Sequence, residues 1–361
     1  MKVERVLMTG DTVGGVWTFT LDLARGLSEK GIEVVLVAFG GKASASQLAE
    51  ASAIRGVCLL DSGFKLEWMD DPWADVEASG GWLLELAREY CPQVVHLNSF
   101  GHGALRWHAP VVVTGHSCVL SWWRAVKNER APRSWDRYRT LVTETLQNAD
   151  VVTAPTSAMA AALTEHYGMD PFACRVIPNG RDAAKFRCGV KEPFIFSAGR
   201  LWDHAKNVQT IAHIAPELSW PVYVAGESNG AGLETCLNLG HLGASQMADM
   251  YARAAIYAMP ARYEPFGLSI LEAALSGCAL VLGDIPSLRE IWKDSALFVH
   301  PEDSRKLGRT LQSLIDNPNQ REYLSRRACE RAIGFSAGRM SEAYLKTYLN
   351  AVALRSIPCV S

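Results

Sequence analysis

The chain has 361 residues, 48% of them hydrophobic and 20% charged, with a formal net charge of -2. That length predicts about two domains of ordinary size, and near-neutrality gives no electrostatic case for nucleic-acid binding. Nine scattered cysteines with no Cys-x-x-Cys pair argue against a zinc site or a disulfide framework and fit a reducing cytoplasm.

Lys2, Glu4 and Arg5 interrupt the start, and Val6-Leu7-Met8 is too short for the apolar core of a signal peptide. No apolar run approaches the roughly 18 residues that span a bilayer. Arg5–Thr9 reads as a strand, Trp17–Lys30 as a helix and Glu33–Phe39 as a second strand. Further strands are expected at Gln93–Leu97, Pro110–Thr114 and Val151–Ala154. They are apolar throughout rather than alternating, as in a parallel sheet covered on both faces. After the turn-forming cluster Pro178-Asn179-Gly180-Arg181-Asp182 the pattern restarts, with strands at Pro193–Gly199, Pro221–Gly226, Ala255–Pro260, Ala279–Gly283 and Ala296–His300. Ser336–Leu354 reads as one long amphipathic helix. The expected organisation is α/β, with two doubly wound domains at 1–185 and 186–335 and a terminal helix in 336–361 that crosses back to the first domain.

Ligands of doubly wound sheets bind beyond the carboxyl ends of the strands, so the residues at those ends carry the candidate chemistry. Gly10-Asp11-Thr12-Val13-Gly14-Gly15-Val16-Trp17 is a glycine-rich turn between the first strand and helix, and it is not the Gly-x-Gly-x-x-Gly fingerprint of a nicotinamide site. Gly40-Gly41-Lys42-Ala43 resembles half a phosphate loop, but the first glycine is missing and Ala43 stands where Ser or Thr is needed. His116 follows the strand ending at Thr114. Arg200 and Lys206 follow the strand ending at Gly199, where two fixed cations suit a diphosphate leaving group. In Arg262-Tyr263-Glu264-Pro265-Phe266-Gly267-Leu268-Ser269-Ile270-Leu271-Glu272-Ala273, Pro265 holds Glu264 extended in the loop above the sheet. The helix from Gly267 presents unpaired N–H groups suited to phosphate, and Glu272, early in it, can accept from a hydroxyl.

The glutamates flanking Pro-Phe-Gly closely resemble the signature of glycosyltransferase family 4, which has the GT-B fold: two Rossmann-like domains facing across a cleft. The resemblance extends over nearly the whole chain, through the N-terminal glycine turn, His116, Asn179-Gly180, Arg200 and Lys206. It implies that Glu264 contacts hydroxyls of the donor sugar, that Glu272 holds the nucleotide ribose, and that the backbone of Phe266, Gly267 and Leu268 meets the diphosphate and sugar. Arg200 and Lys206 would hold the diphosphate, and Gly14 and Gly15 would approach the donor phosphates. His116 would lie near the transferred sugar, and Trp17 would line the acceptor side. One departure is visible: where the family has a glycine-rich turn, this chain reads Asp284-Ile285-Pro286-Ser287-Leu288-Arg289-Glu290.

The resemblance further implies a retaining, metal-independent transfer of a hexose-type sugar from a UDP- or GDP-sugar, with no cofactor. Glu264, His116, Arg200 and Lys206 would be the catalytic set, and the acceptor a glycan, a lipid-linked molecule or a small molecule. No Asp-x-Asp motif occurs, so the cations alone can account for diphosphate stabilisation. A nucleotide-sugar epimerase or hydrolase of the same fold stays open, as does a degenerate nucleotide-sugar-binding module. The stretch Trp122-Trp123-Arg124 through Lys127, Arg130, Arg133, Trp135, Arg137, Tyr138 and Arg139 fits two readings. It is either an acceptor or inner-face membrane contact, or a helix pair with aromatics inward and cations in water.

Overall fold

The computed structural model describes residues 2–228 and 232–355. The chain divides into two units. One holds the chain up to Trp123, Glu129–Gly180 and the segment from Ala337 onward; the other holds Arg124–Asn128 and Arg181–Ser336.

The first unit contains β1 (Arg5–Asp11), α1 (Gly15–Ser28), β2 (Glu33–Phe39), α2 (Ala45–Ser52), β3 (Val57–Asp61), α3 (Trp73–Tyr90), β4 (Val94–Leu97), β5 (Val111–Thr114), the start of α4 (Val119–Lys127; its residues from Arg124 go with the second unit), α5 (Asp136–Asn148), β6 (Val151–Ala154), α6 (Ser157–Tyr167) and β7 (Cys174–Val176). Its seven strands are all parallel, in the order β3-β2-β1-β4-β5-β6-β7. The second unit contains β8 (Glu192–Ala198), α7 (Val208–Ile214), β9 (Val222–Ala225), β10 (Leu237–Asn238), α8 (Ala244–Arg253), β11 (Ala254–Met259), α9 (Leu268–Leu275), β12 (Ala279–Gly283), α10 (Pro286–Trp292), β13 (Leu297–Val299), α11 (Ser304–Asp316) and α12 (Pro318–Ala332). Its six parallel strands run β10-β9-β8-β11-β12-β13. Each sheet therefore reverses its strand order once, between β1 and β4 and between β8 and β11. At such a point the following loops part to opposite sides and leave a crevice.

The central strands are the ones the apolar runs mark. β4, β5, β11 and β12 are buried at every residue, because helices cover both faces. The strands missing from the sequence-based assignment, β3, β7 and β10, are all sheet edges. They are short or partly exposed, so they lack the continuous apolar run that a doubly covered strand needs. Polar punctuation sets helix starts: Thr156 caps α6 through Met159 N–H, Asp303 caps α11 through Lys306 N–H, and Asn317 caps α12 beside Pro318.

Residues 181–185, assigned to the first domain from sequence, go with the second unit. The reason is local pairing. Arg181 N–H donates to the Phe335 carbonyl, and Arg181 bridges Ser336 in parallel fashion.

After α12 the chain returns to the first unit as α13 (Ala337–Arg355). The part of the expected terminal segment beyond Arg355 lies outside the described residues. α13 buries Tyr344 and Tyr348 completely. Tyr344 OH lies 3.2 Å from Thr114 Oγ1 and 3.3 Å from Thr153 Oγ1, and Tyr348 OH lies 2.7 Å from His96 Nδ1. These phenols satisfy polar groups of β4, β5 and β6 that no water reaches. Among the described residues, no helix is long and apolar enough to cross a membrane.

Gly26 of α1 is the close-approach point for α13, since a Cβ there would stand 2.6 Å from Ser341 Cβ. Gly26→Val should therefore cost about 1–3 kcal/mol through overpacking. Urea unfolding checks this: the loss should shrink when Ser341→Gly is added, and an unchanged midpoint in the single variant would refute the contact.

Candidate functional site

In the second unit the crevice at the β8/β11 reversal gathers the charged residues. Arg200 and Lys206 lie in the loop after β8, and Glu264 lies in the loop after β11. Arg262 N–H to the Ala205 carbonyl at 2.8 Å and Asn207 Nδ2 to the Pro260 carbonyl at 2.9 Å join these loops, and Asn207 Nδ2 also donates to the Pro301 carbonyl, after β13, at 2.8 Å. Asn207 is 1% exposed and holds a left-handed φ of 56°; its Nδ2 makes this clamp while its Oδ1 accepts from Thr210 Oγ1 at 2.7 Å. The result brings the Lys206 ammonium onto the Glu264 carboxylate as a short, half-buried ion pair. Such a pair is a stored charge arrangement rather than a large source of stability.

Arg200 is oriented by Asp203, whose Oδ2 sits 2.9 Å from the guanidinium while its Oδ1 accepts from Ala205 N–H. The Arg200 Nε is buried and has no hydrogen-bond partner among the described residues. An oxyanion is the natural partner for an orphaned cationic donor, so the residues fit a diphosphate.

Gly267 sits between Glu264 and α9 with a φ of 88°; a Cβ there would meet Ile270 at 2.7 Å. Only glycine takes this conformation freely, and it turns the chain so that α9 begins beside Glu264. Phe266 is 3% exposed, its ring packs edge-on against Phe335, and its N–H donates to Glu264 Oε1 at 3.4 Å. Leu268 is half-buried against the same core. Glu272 of α9 is paired with Arg181 at 2.9 Å, and burial together with that carboxylate pushes the Tyr251 phenol well up. In place of the missing glycine-rich turn, Ser287 Oγ donates to the Glu264 carbonyl at 2.6 Å, and Arg289 pairs with Asp284. This wall is held by side chains where glycines were expected.

In the first unit, Gly14 precedes α1 with a φ of 105°, and Gly14 and Gly15 are both exposed at the helix N-terminus. His116 lies at the carboxyl end of β5, on the Phe19 ring of α1, with centroids 4.5 Å apart. Its Nε2 is 2.9 Å from Asn98 Oδ1. The Asn98 amide orientation follows from its Nδ2, which donates to the Thr9 carbonyl at 2.7 Å. His116 must then carry its proton on Nε2, which leaves Nδ1 as an acceptor. Part of the His116 surface stays accessible, yet protein surrounds it closely enough that burial lowers its pKa to about 3. It is a neutral hydrogen-bonding group near pH 7, not a general acid.

Trp17 corrects the sequence reading. It is 5% exposed and its indole N–H donates to Glu50 at 3.1 Å, so it packs in the first unit and presents no surface to an acceptor. The aromatic and basic stretch is mixed: Tyr138 is 2% exposed, Trp122 and Trp123 stack edge-on half-buried, and Arg137 lies 4.2 Å over Trp73. Asp203, Asn98 and Arg181 are site-building residues that sequence reasoning did not select. Asp203 lies three residues after Arg200, a spacing that could have flagged it. Asn98 and Arg181 had no local signal, because each acts on a residue distant in the chain.

Comparison with known proteins follows the same lines. Residues 13–185 match the family described as Glycosyltransferase Family 4, and residues 181–331 match Glycosyl transferases group 1. A D-inositol 3-phosphate glycosyltransferase of Kineococcus radiotolerans is 27% identical, over 96% of this chain and 93% of that protein. The sucrose-phosphate synthase of Thermosynechococcus elongatus superposes with a TM-score of 0.82 at 16% identity, covering 97% of this chain and 100% of the other. Anabaena HepE in complex with UDP-glucose gives 0.78 at 16% identity, covering 96% and 99%.

Two other histidines make the first unit pH-sensitive. Burial, with His116 nearby, lowers His96 to about 3; burial, partly offset by the Val76 carbonyl, lowers His102 to about 4. Both values lie below the unfolded value of about 6.5, so both rings are neutral in either state above that pH. As pH falls from 6.5 toward 4, the unfolded chain binds protons that the native state refuses, and stability drops by up to about 1.4 kcal/mol per pH unit for each ring. Urea unfolding between pH 7.5 and 5 should show this slope, and His102→Gln should reduce it. An identical slope in that variant would refute the burial of His102.

Proposed function

The chain is a family 4 glycosyltransferase of GT-B fold, and from that premise we propose that it transfers a hexose from a nucleoside diphosphate sugar with retention of anomeric configuration and without a metal ion. The observation that carries this reading is the Lys206–Glu264 pair beside an oriented Arg200 that has a buried donor to spare.

Departure of the diphosphate concentrates negative charge on the β-phosphate oxygen that was bonded to the sugar. Arg200, Lys206 and the N–H groups opening α9 are fixed positive groups for that charge, needing no reorganisation as the bond breaks. When phosphate engages Lys206, Glu264 is released to accept hydrogen bonds from sugar hydroxyls, and Glu272 accepts from the ribose. The exposed turn at Gly14 and Gly15 offers further N–H groups to phosphate. His116, neutral and with Nδ1 as acceptor, receives a hydrogen bond from a sugar hydroxyl. The acceptor hydroxyl attacks the face that the leaving group vacates, and an oxygen of the departing diphosphate takes its proton.

The solved complex of HepE makes UDP-glucose the first donor to test, with GDP-sugars second. The names of the relatives make inositol 3-phosphate the first acceptor to test, ahead of glycan and lipid-linked acceptors. A cytoplasmic enzyme, touching the inner membrane face if its acceptor is lipid-linked, accords with the scattered cysteines.

Glu264→Gln should lower transfer by orders of magnitude with an unchanged unfolding midpoint. Arg200→Ala should weaken nucleoside diphosphate binding roughly ten- to hundredfold, since a hydrogen bond to a charged group is worth about 1.5–3 kcal/mol. Calorimetric titration with UDP and GDP, then transfer assays with NMR of the product anomer, test both. Full activity in Glu264→Gln, or an inverted anomer, overturns the mechanism. Donor turnover with no acceptor present would indicate a hydrolase or epimerase, and tight binding without turnover a binding module.

A further inference from the structure

The Arg181 side chain has no role in the reading above, yet it meets the carboxylate on which ribose recognition depends. We propose that Arg181 is the positioning residue for Glu272, holding its carboxylate ionised and turned toward the ribose hydroxyls; this rests on Glu272 being the ribose acceptor.

Glu272 stands on α9 between Leu271 and Ala273, which are completely buried, and its own side chain is only 15% exposed. A carboxylate so placed has lost most of its hydration and needs a charged or hydrogen-bonding partner. Neutral, it would carry a proton of its own and act partly as donor. Two ribose hydroxyls, each offering an O–H, are better met by an ionised group that only accepts.

Arg181 supplies the opposing charge. Its Nε lies 2.9 Å from Glu272 Oε1, with the guanidinium side chain 12% exposed. At that depth, screening by water is weak and the attraction is felt strongly. The arginine is itself anchored. Its N–H donates to the Phe335 carbonyl at 3.0 Å, its backbone bridges Ser336, and its guanidinium lies 5.2 Å from the Phe186 ring centroid. Tyr251 of α8 lies against the same carboxylate. Glu272 is thus met by residues from two other segments, and Arg181 brings a positive charge onto it.

The role makes a selective prediction. Removing the Arg181 side chain should weaken binding of ligands through their ribose hydroxyls and leave contacts to the diphosphate unchanged. The probes are UDP and GDP, each compared with its 2′,3′-dideoxy analogue by calorimetric titration. Native protein should favour the ribose form by about tenfold, the scale of a charge-assisted contact. Arg181→Ala and Glu272→Gln should each bring that preference to within about twofold, and the double variant should lose no more than either single one. Arg181→Gln, which keeps the stem and removes the charge, replaces the alanine variant should that one fail to fold. If Glu272→Gln loses the preference and the Arg181 variants keep it, the proposal is overturned while the ribose role of Glu272 stands. Equal weakening of both members of each pair in the Arg181 variants also overturns it, since Arg181 would then act on the diphosphate or the fold. If Glu272→Gln keeps the full preference, the ribose role itself fails and this inference fails with it.

Discussion

A parallel sheet can open a crevice only where its strand order reverses, because elsewhere successive loops fold to the same side. In the second unit the reversal lies between β8 and β11, and the charged residues of the candidate site gather there. The loop after β8 brings Arg200 and Lys206, and the loop after β11 brings Glu264. Asn207 is what makes the meeting exact enough to matter. It is a buried amide in a left-handed conformation whose Nδ2 donates to the carbonyls of Pro260 and Pro301. Without that clamp, Lys206 and Glu264 would be two solvated side chains on separate loops, worth little to each other or to a ligand.

The charged groups of the crevice are arranged in oriented pairs. Asp203 aims Arg200, Lys206 meets Glu264, and Arg181 meets Glu272. Pairing keeps half-buried charges from the full cost of desolvation. Under the proposed function an incoming diphosphate would exchange one partner for another, so that the site need not be rebuilt on binding. Preorganised charge of this kind acts on a developing leaving group with little reorganisation.

The first unit works by a different principle. Its polar groups near the carboxyl ends of the strands are largely uncharged. His96 and His116 are held neutral by burial, and Asn98, Thr114 and Thr153 fix hydrogen-bond directions rather than fields. α13 completes this layer by inserting Tyr344 and Tyr348 beneath the strands. The terminal helix is therefore part of the first unit's interior, and its ring contacts extend to the ring on which His116 rests, since Phe19 also packs edge-on against His96 and Tyr344.

By itself the sequence determined the α/β class, the two successive sheets, the central strands and the terminal helix. Their apolar runs and turn clusters are local signals with physical causes in burial and backbone geometry. It also marked Glu264, Glu272, Arg200 and Lys206, because a proline, a glycine and a strand end place each of them beside a crevice. Edge strands β3, β7 and β10 escaped, since half-exposed strands need no continuous apolar run. Only the tertiary structure decided how the marked residues are used. Trp17 could face an acceptor or the core, and the packing of α1 with Glu50 settled it inward. The tautomer of His116 depends on Asn98, whose amide is turned by Thr9. The partner of Glu272 comes from the segment joining the units. These are contacts between residues far apart in the chain. No local pattern encodes them, because they come into being only when strands from distant segments are laid side by side.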